Sequence, residues 1–197
     1  MQRATVGFAV LGLAAAATIA AADGGGVSTG AMQNGSSSGM IYGEGHAFLL
    51  TAPVGWVLDS ESGVKQGLHA VFYPAGSSWA DAPAVMYANT AWRDTMKNEP
   101  LESFIVGDVS EARSKSSRLQ VARVPAITTE DGKLAEVRVF TGDTWGNREK
   151  VAYIQERRVF VLLTLTAKSR ASFARSAPAF DSLVRSYQFL TEKVEFK

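Results

Sequence analysis

His46 and His69 are the only imidazoles in this 197-residue chain, so proton transfer by histidine must run through one of them. Glu44 stands two positions before His46, a spacing that on a strand puts both on one face and would begin a metal site if a third ligand joined them. Without that ligand the pair reads as a solvated one, and His69, on the face opposite Leu68, Ala70 and Phe72, reads as a half-buried strand histidine with one hydrogen bond. Asp59, Glu61, Asp81, Asp143 and Glu149 could supply a carboxylate pair, yet acidic residues near turns commonly serve solubility and turn geometry. Gly35-Ser36-Ser37-Ser38-Gly39 matches the G-x-S-x-G string of a nucleophile elbow, but neither the strand before it nor the helix after it is present in the pattern. Cysteine is absent, which removes thiolate nucleophiles, disulfides, Cys-based zinc sites and lipid attachment together. The residues therefore predict no catalytic set, no metal and no cofactor. The alternative kept open is a small hydrolase or metal-dependent enzyme using His46 or His69.

The four tryptophans divide by context. Trp56 and Trp92 fall in strand-like runs and are expected in the core. Trp79 in AGSSWADAP and Trp145 in TGDTWGN fall in loops, where an exposed aromatic buries a large area on binding at little entropic cost; these two are the predicted partner-binding residues. Arg157, Arg158, Lys168, Arg170, Arg175 and Arg185 form a basic row near the C-terminus that could face an acidic partner, or simply water.

Composition sets the frame for these side chains. With 46% apolar and 20% charged residues the chain suits one globular domain, and a net charge of +1 provides no long-range field to draw nucleic acid. Residues 1–22 read as a cleavable signal peptide: Arg3, an apolar run from Val6 to Ile19, and Ala20 and Ala22 ahead of a cut before Asp23. The run is too short and Ala-rich for a spanning helix, so the mature product is expected to be periplasmic or secreted, without stable membrane insertion. Residues 23–45, rich in Gly and Ser, are expected to form a flexible tether, and residues 46–197 a single domain.

Within that domain, short alternating runs predict strands at 46–51, 55–59, 68–73 and 84–92. A helix follows from Pro100, with Leu101, Phe104, Ile105, Val109 and Ala112 as its apolar stripe and Glu102, Asp108, Glu111, Arg113 and Lys115 on its water face. Strands at 119–128, 134–142, 149–156 and 159–167 make an antiparallel meander, with Asp131-Gly132 at one turn and a two-faced apolar run, VFVLLTLTA, predicted to be central. Phe173, Ala177, Phe180, Leu183, Val184 and Tyr187 predict a closing amphipathic helix, kinked or restarted at Pro178 with Ser176 as its cap. The expected class is α+β: a mostly antiparallel sheet of about seven to eight strands sandwiched between helices.

Three segments carry a family resemblance: FLLTAPVGWVLD, HAVFYP and PAFDSLVRSYQF. With this order of elements the chain resembles the PsbP-like fold, shared by a photosystem II extrinsic protein, a Ran-binding nuclear import factor and small exported bacterial proteins. The resemblance implies an α/β/α sandwich and a binding or assembly role without a shared catalytic set. The expected function is accordingly an exported, non-catalytic binding or accessory module of the cell envelope, a monomer whose partner is a protein or small ligand. An envelope-stress or structural protein is the further alternative.

Overall fold

The computed structural model describes residues 26–29, 37–96 and 98–194. The signal sequence and its cleavage position lie outside them. Seven antiparallel strands form the main sheet: β4 (Trp56–Asp59), β5 (Ala70–Pro74), β6 (Ala84–Trp92), β7 (Gln120–Thr128), β8 (Leu134–Thr141), β9 (Arg148–Gln155) and β10 (Val159–Ala167), in the order β4-β5-β6-β10-β9-β8-β7. VFVLLTLTA is indeed central: β10 is buried at every position, between β6 and β9. An antiparallel strand with both faces covered needs apolar residues on both, hence the unbroken run.

Each face carries one helix. Helix α1 (Leu101–Lys115) lies on the face of Val151, Tyr153, Phe160 and Leu162, to which it contributes Ile105 and Ala112. Helix α2 (Arg170–Arg185) lies on the face of Met86, Ile154, Leu163 and Leu165, to which it contributes Phe180, Leu183 and Val184. That second face also receives Phe48 and Leu50 from a smaller sheet, β1 (Gly26–Thr29), β2 (Ser38–Gly43), β3 (His46–Thr51) and β11 (Gln188–Thr191), ordered β1-β2-β3-β11. The α+β class and helix-flanked antiparallel sheet expected from the sequence are the observed ones.

Three local expectations are corrected. The predicted tether, 23–45, contains two strands: β2 pairs with β3 over its whole length, and Ile41 is 6% exposed. The Gly- and Ser-rich composition hid a period-two pattern in which Gly39, Ile41 and Gly43 face inward. Ser37 thus runs into a strand rather than onto a nucleophile elbow. Secondly, α2 is continuous and starts at Ser169, whose hydroxyl accepts from the Ser172 backbone N–H while Ser172 answers to the Ser169 N–H. Pro178 does not end the helix: it and Ala174, whose carbonyl loses its helical donor, lie on the exposed side, where the freed carbonyl is open to solvent. Thirdly, Asp108, assigned above to the water face of α1, is 9% exposed. It points into the sheet.

Candidate functional site

Trp79, one of the two predicted contact residues, is 8% exposed and packs edge-on against Tyr87 at 6.3 Å between ring centroids. Together with Leu68, Val71, Ala82 and Val85 it covers the part of the main sheet that α1 does not reach. The β5–β6 connection therefore folds back to seal an apolar surface, and Trp79 is a core residue rather than a contact residue. Trp145 is exposed, in the β8–β9 reversal where Asp143 Oδ1 accepts the backbone N–H groups of Trp145 (3.2 Å) and Asn147 (2.7 Å).

Trp92 reverses the opposite expectation. Placed in the core by its strand context, it is 50% exposed. It is the last residue of β6, paired with Val159 at the start of β10, and alternation puts it on the α2 face, opposite Ala91 and Phe160, which pack under α1. This end of the sheet is the one opposite Trp145, because β9 begins where β6 begins and β10 ends. The Arg158 guanidinium sits 5.5 Å from the Trp92 ring centroid. Gly45, in the β2–β3 turn at φ +74°, closes against both: a Cβ there would stand 3.2 Å from the indole and 3.3 Å from Arg158 Nε. Arg93 braces the neighbouring turn. Its backbone N–H donates to Arg158 O (2.9 Å), its Nε to Glu99 O (2.8 Å) and its Nη atoms to Arg157 O (3.3 Å) and Asn98 Oδ1 (3.0 Å). Met96, 95% exposed, is in the same loop. The result is a half-open indole with a cation stacked on it, held by backbone-directed hydrogen bonds. Such a pair contributes about 0.5–1 kcal/mol to its own rigidity and leaves a large apolar edge for a partner.

The histidines do not meet. His46, buried in β3, donates from Nδ1 to Glu44 O at 3.1 Å and stacks on Phe48; burial lowers its pKa against the smaller raising effect of that bond, so it is neutral near pH 7. His69 lies just ahead of β5, in the other sheet. Among the described residues no group of three His, Asp or Glu side chains is placed to hold a metal ion.

The five candidate carboxylates separate by role. Asp59 accepts from Ser62 Oγ (2.6 Å), Tyr73 OH (2.8 Å) and the backbone N–H groups of Glu61 and Ser62. Burial would raise its pKa, but these bonds together outweigh burial and bring it down to about 2. Asp81 caps a turn through Ser78. Asp143 and Glu149, by contrast, are buried close enough to interact, and Asp108 from α1 joins them. Tyr153 OH donates to Asp108 Oδ2 (2.5 Å) and Thr166 Oγ1 to Glu149 Oε1 (2.8 Å), while Asp143 Oδ2 has no partner. Burial pushes Asp108 up to about 7, against the Tyr153 bond; burial also pushes Glu149 up to about 7, with the charges of Asp143 and Asp108 adding to it. Both carboxyls are therefore only about half ionised near neutral pH, where an ordinary carboxylate is fully so. With Asp108 9% and Glu149 3% exposed they are sealed beneath α1, out of reach of a substrate.

The class defined by these features is an α+β protein with one antiparallel sheet, a helix on each face and a supplementary sheet beside the second helix. No protein-family model matches the chain, and no curated protein does. Among solved structures it is similar to cyanobacterial PsbP (CyanoP) from Synechocystis sp. PCC 6803, at 13% identity over 88% of this chain and 98% of that one, with a TM-score of 0.45. It is similar also to the Ran-binding protein Mog1p of Saccharomyces cerevisiae, at 14% identity over 78% and 94%, with a TM-score of 0.48. A third is a putative regulator of unknown function, PA94, from Pseudomonas aeruginosa, at 11% identity over 87% and 100%, with a TM-score of 0.43. PsbP and a Ran-binding protein are the folds that the sequence resemblance named. The likeness is one of fold and carries nothing about partner or activity.

Proposed function

We propose that this chain is an exported, non-catalytic binding module of the cell envelope whose partner docks on the sheet end built around Trp92 and Arg158. The observation that carries the reading is the half-exposed Trp92 indole with the Arg158 guanidinium over it, on a turn braced by Arg93. Trp and Arg are the residues in which binding energy concentrates, and a pair already held in place has less freedom to lose on association. Export is supported by the n-region, apolar run and Ala-x-Ala pattern of residues 1–22.

The test is in-cell crosslinking with mass spectrometry of the exported protein, comparing wild type with Trp92→Ala, Arg158→Ala and Trp145→Ala. The expected result is a specific crosslinked partner lost in the first two variants and kept in the third, with thermal unfolding moved by no more than a few degrees, since all three sites are at the surface. Retention of the partner by Trp92→Ala, or its loss only in Trp145→Ala, would overturn the assignment of this surface. Export is checked separately by the N-terminal sequence of the mature protein, expected to begin at Asp23.

A further inference from the structure

A groove of about 560 Å³ runs between α2 and the turn joining β3 to β4, on the opposite side of the main sheet from α1. One wall is Pro53, Val54 and Trp56, and the other is Arg175, Pro178 and Ala179. We propose that this groove binds a small carboxylate with an apolar body, of the kind a medium-chain fatty acid presents.

The charge of the lining selects the head group. Arg175 is its single ionisable residue, and among the described residues no carboxylate pairs with it. The two serines have their protons committed: Ser182 Oγ donates to Pro178 O (3.2 Å), and Ser186 Oγ donates to Leu183 O (2.7 Å) while accepting from the Thr51 N–H (3.0 Å); Thr51 Oγ1 is hydrogen-bonded to Ser38 Oγ (2.8 Å). Arg175 is thus the one charged donor the groove offers, the Trp56 indole N–H being neutral. A guanidinium with five donors in a fork matches a carboxylate bidentately, whereas a sugar or a polyphosphate would need several convergent donors that this lining lacks.

The apolar walls select the body. Val54 is 85% exposed and Trp56 only partly covered, so the turn leaves apolar surface in water that an alkyl chain would remove. The walls are also preformed. Trp56 N–H donates to Pro53 O (2.9 Å), Gly55 O accepts from Ala75 N–H (2.8 Å), and the Thr51–Ser186 bond ties the β3 side directly to the end of α2. Two proline rings fix the backbone on either side. A small ligand therefore finds the cleft open without a rearrangement to drive.

The experiment is an NMR titration of the isotopically labelled protein with decanoate, with decanol as a neutral probe of the same length. Saturable shifts are expected at the Trp56 indole and at the backbone amides of Val54 and Ser182 in the low millimolar range or tighter. Arg175→Gln, an exposed change that leaves the core untouched, should weaken decanoate roughly tenfold and leave decanol unchanged, one bidentate charge-assisted contact being lost. Absence of saturable shifts in the wild type, equal affinity of wild type and R175Q for decanoate, or shifts confined to other surfaces would each overturn the proposal. This site is remote from the Trp92 end, so the outcome is independent of the docking surface assigned above.

Discussion

Replacing Asp108 by Asn tests the physical account of the sealed acidic seam. Asp108 and Glu149 have pKa values raised by burial to about 7 from ordinary values of 3.8 and 4.5. A carboxyl whose folded-state pKa lies above its unfolded one keeps extra protons in the native state, so stability falls as pH rises from about 4 to about 7 and stays lower beyond. For Asp108 the interval from 3.8 to about 7, at about 1.4 kcal/mol per pH unit, sets a ceiling of about 4 kcal/mol. Relaxation around the ionised group reduces this to about 2–4 kcal/mol. Asn is isosteric, carries no charge and still accepts from Tyr153 OH, so the variant should match wild type within about 1 kcal/mol at pH 5. At pH 8.5 it should exceed wild type by about 2–4 kcal/mol. In a domain of this size about 2–4 °C accompanies each kcal/mol, so wild-type Tm should drop roughly 5–15 °C between the two pH values and the drop should shrink markedly in D108N. Differential scanning calorimetry across that range reads it directly. Asp59 does not interfere, since its depressed pKa acts only below about pH 4. His46, its pKa lowered by burial, adds stability as pH rises through about 6.5 and opposes this fall in both proteins, so the deciding result is the difference between them: a D108N slope equal to that of wild type would refute the reasoning.

Three further expectations concern stability. Trp79→Ala should cost about 3–5 kcal/mol by urea unfolding, against no more than about 0.5 kcal/mol for Trp145→Ala, because the first empties a buried site and the second trims an exposed loop; similar costs would contradict the burial assigned to Trp79. Lys133 joins Glu156 (2.6 Å) and Asp131 (3.1 Å) beneath the Tyr187 and Phe189 rings, and Tyr187 OH donates to Glu156 (2.8 Å), so Lys133→Met strands an acid whose side chain is 6% exposed. It should destabilise by about 1–3 kcal/mol, and Lys133→Met with Glu156→Gln should recover part of that; no recovery would show the loss to be packing alone. Gly142 at φ +84° lies where a Cβ would come 2.6 Å from Arg118 O, whereas Gly76 at φ +83° has open space. Chemical denaturation should show Gly142→Ala costing clearly more than the ~1 kcal/mol of strain expected for Gly76→Ala, and equal costs would deny the close approach.

Much of this architecture is decided within short windows. VFVLLTLTA requires a strand covered on both faces, and Phe180, Leu183 and Val184 require a helix docked on one side; both took those places. Asp131-Gly132 prescribes a reversal that appears with Gly132 at φ +80°. These features are local because period and backbone dihedrals are properties of neighbouring residues. The seam, the two exposed tryptophans and the groove depend instead on which element covers which. Asp108 sits among polar residues of α1 and becomes buried only because Tyr153, Glu149 and Thr166 line up beneath it across β9 and β10. Trp79 and Trp92 exchange roles because the β5–β6 loop folds over one part of the sheet, while Trp92, at the very end of β6, meets only the β2–β3 turn and Arg158. Arg175 and Trp56 line one groove only because α2 packs beside the turn that carries the chain from β3 to β4, more than a hundred positions earlier in sequence. The residues alone thus determined periodicity, turns, fold class and the absence of thiol chemistry. Solvent exposure, which decides what a side chain can touch, is a property of the assembled surfaces and was settled only in three dimensions.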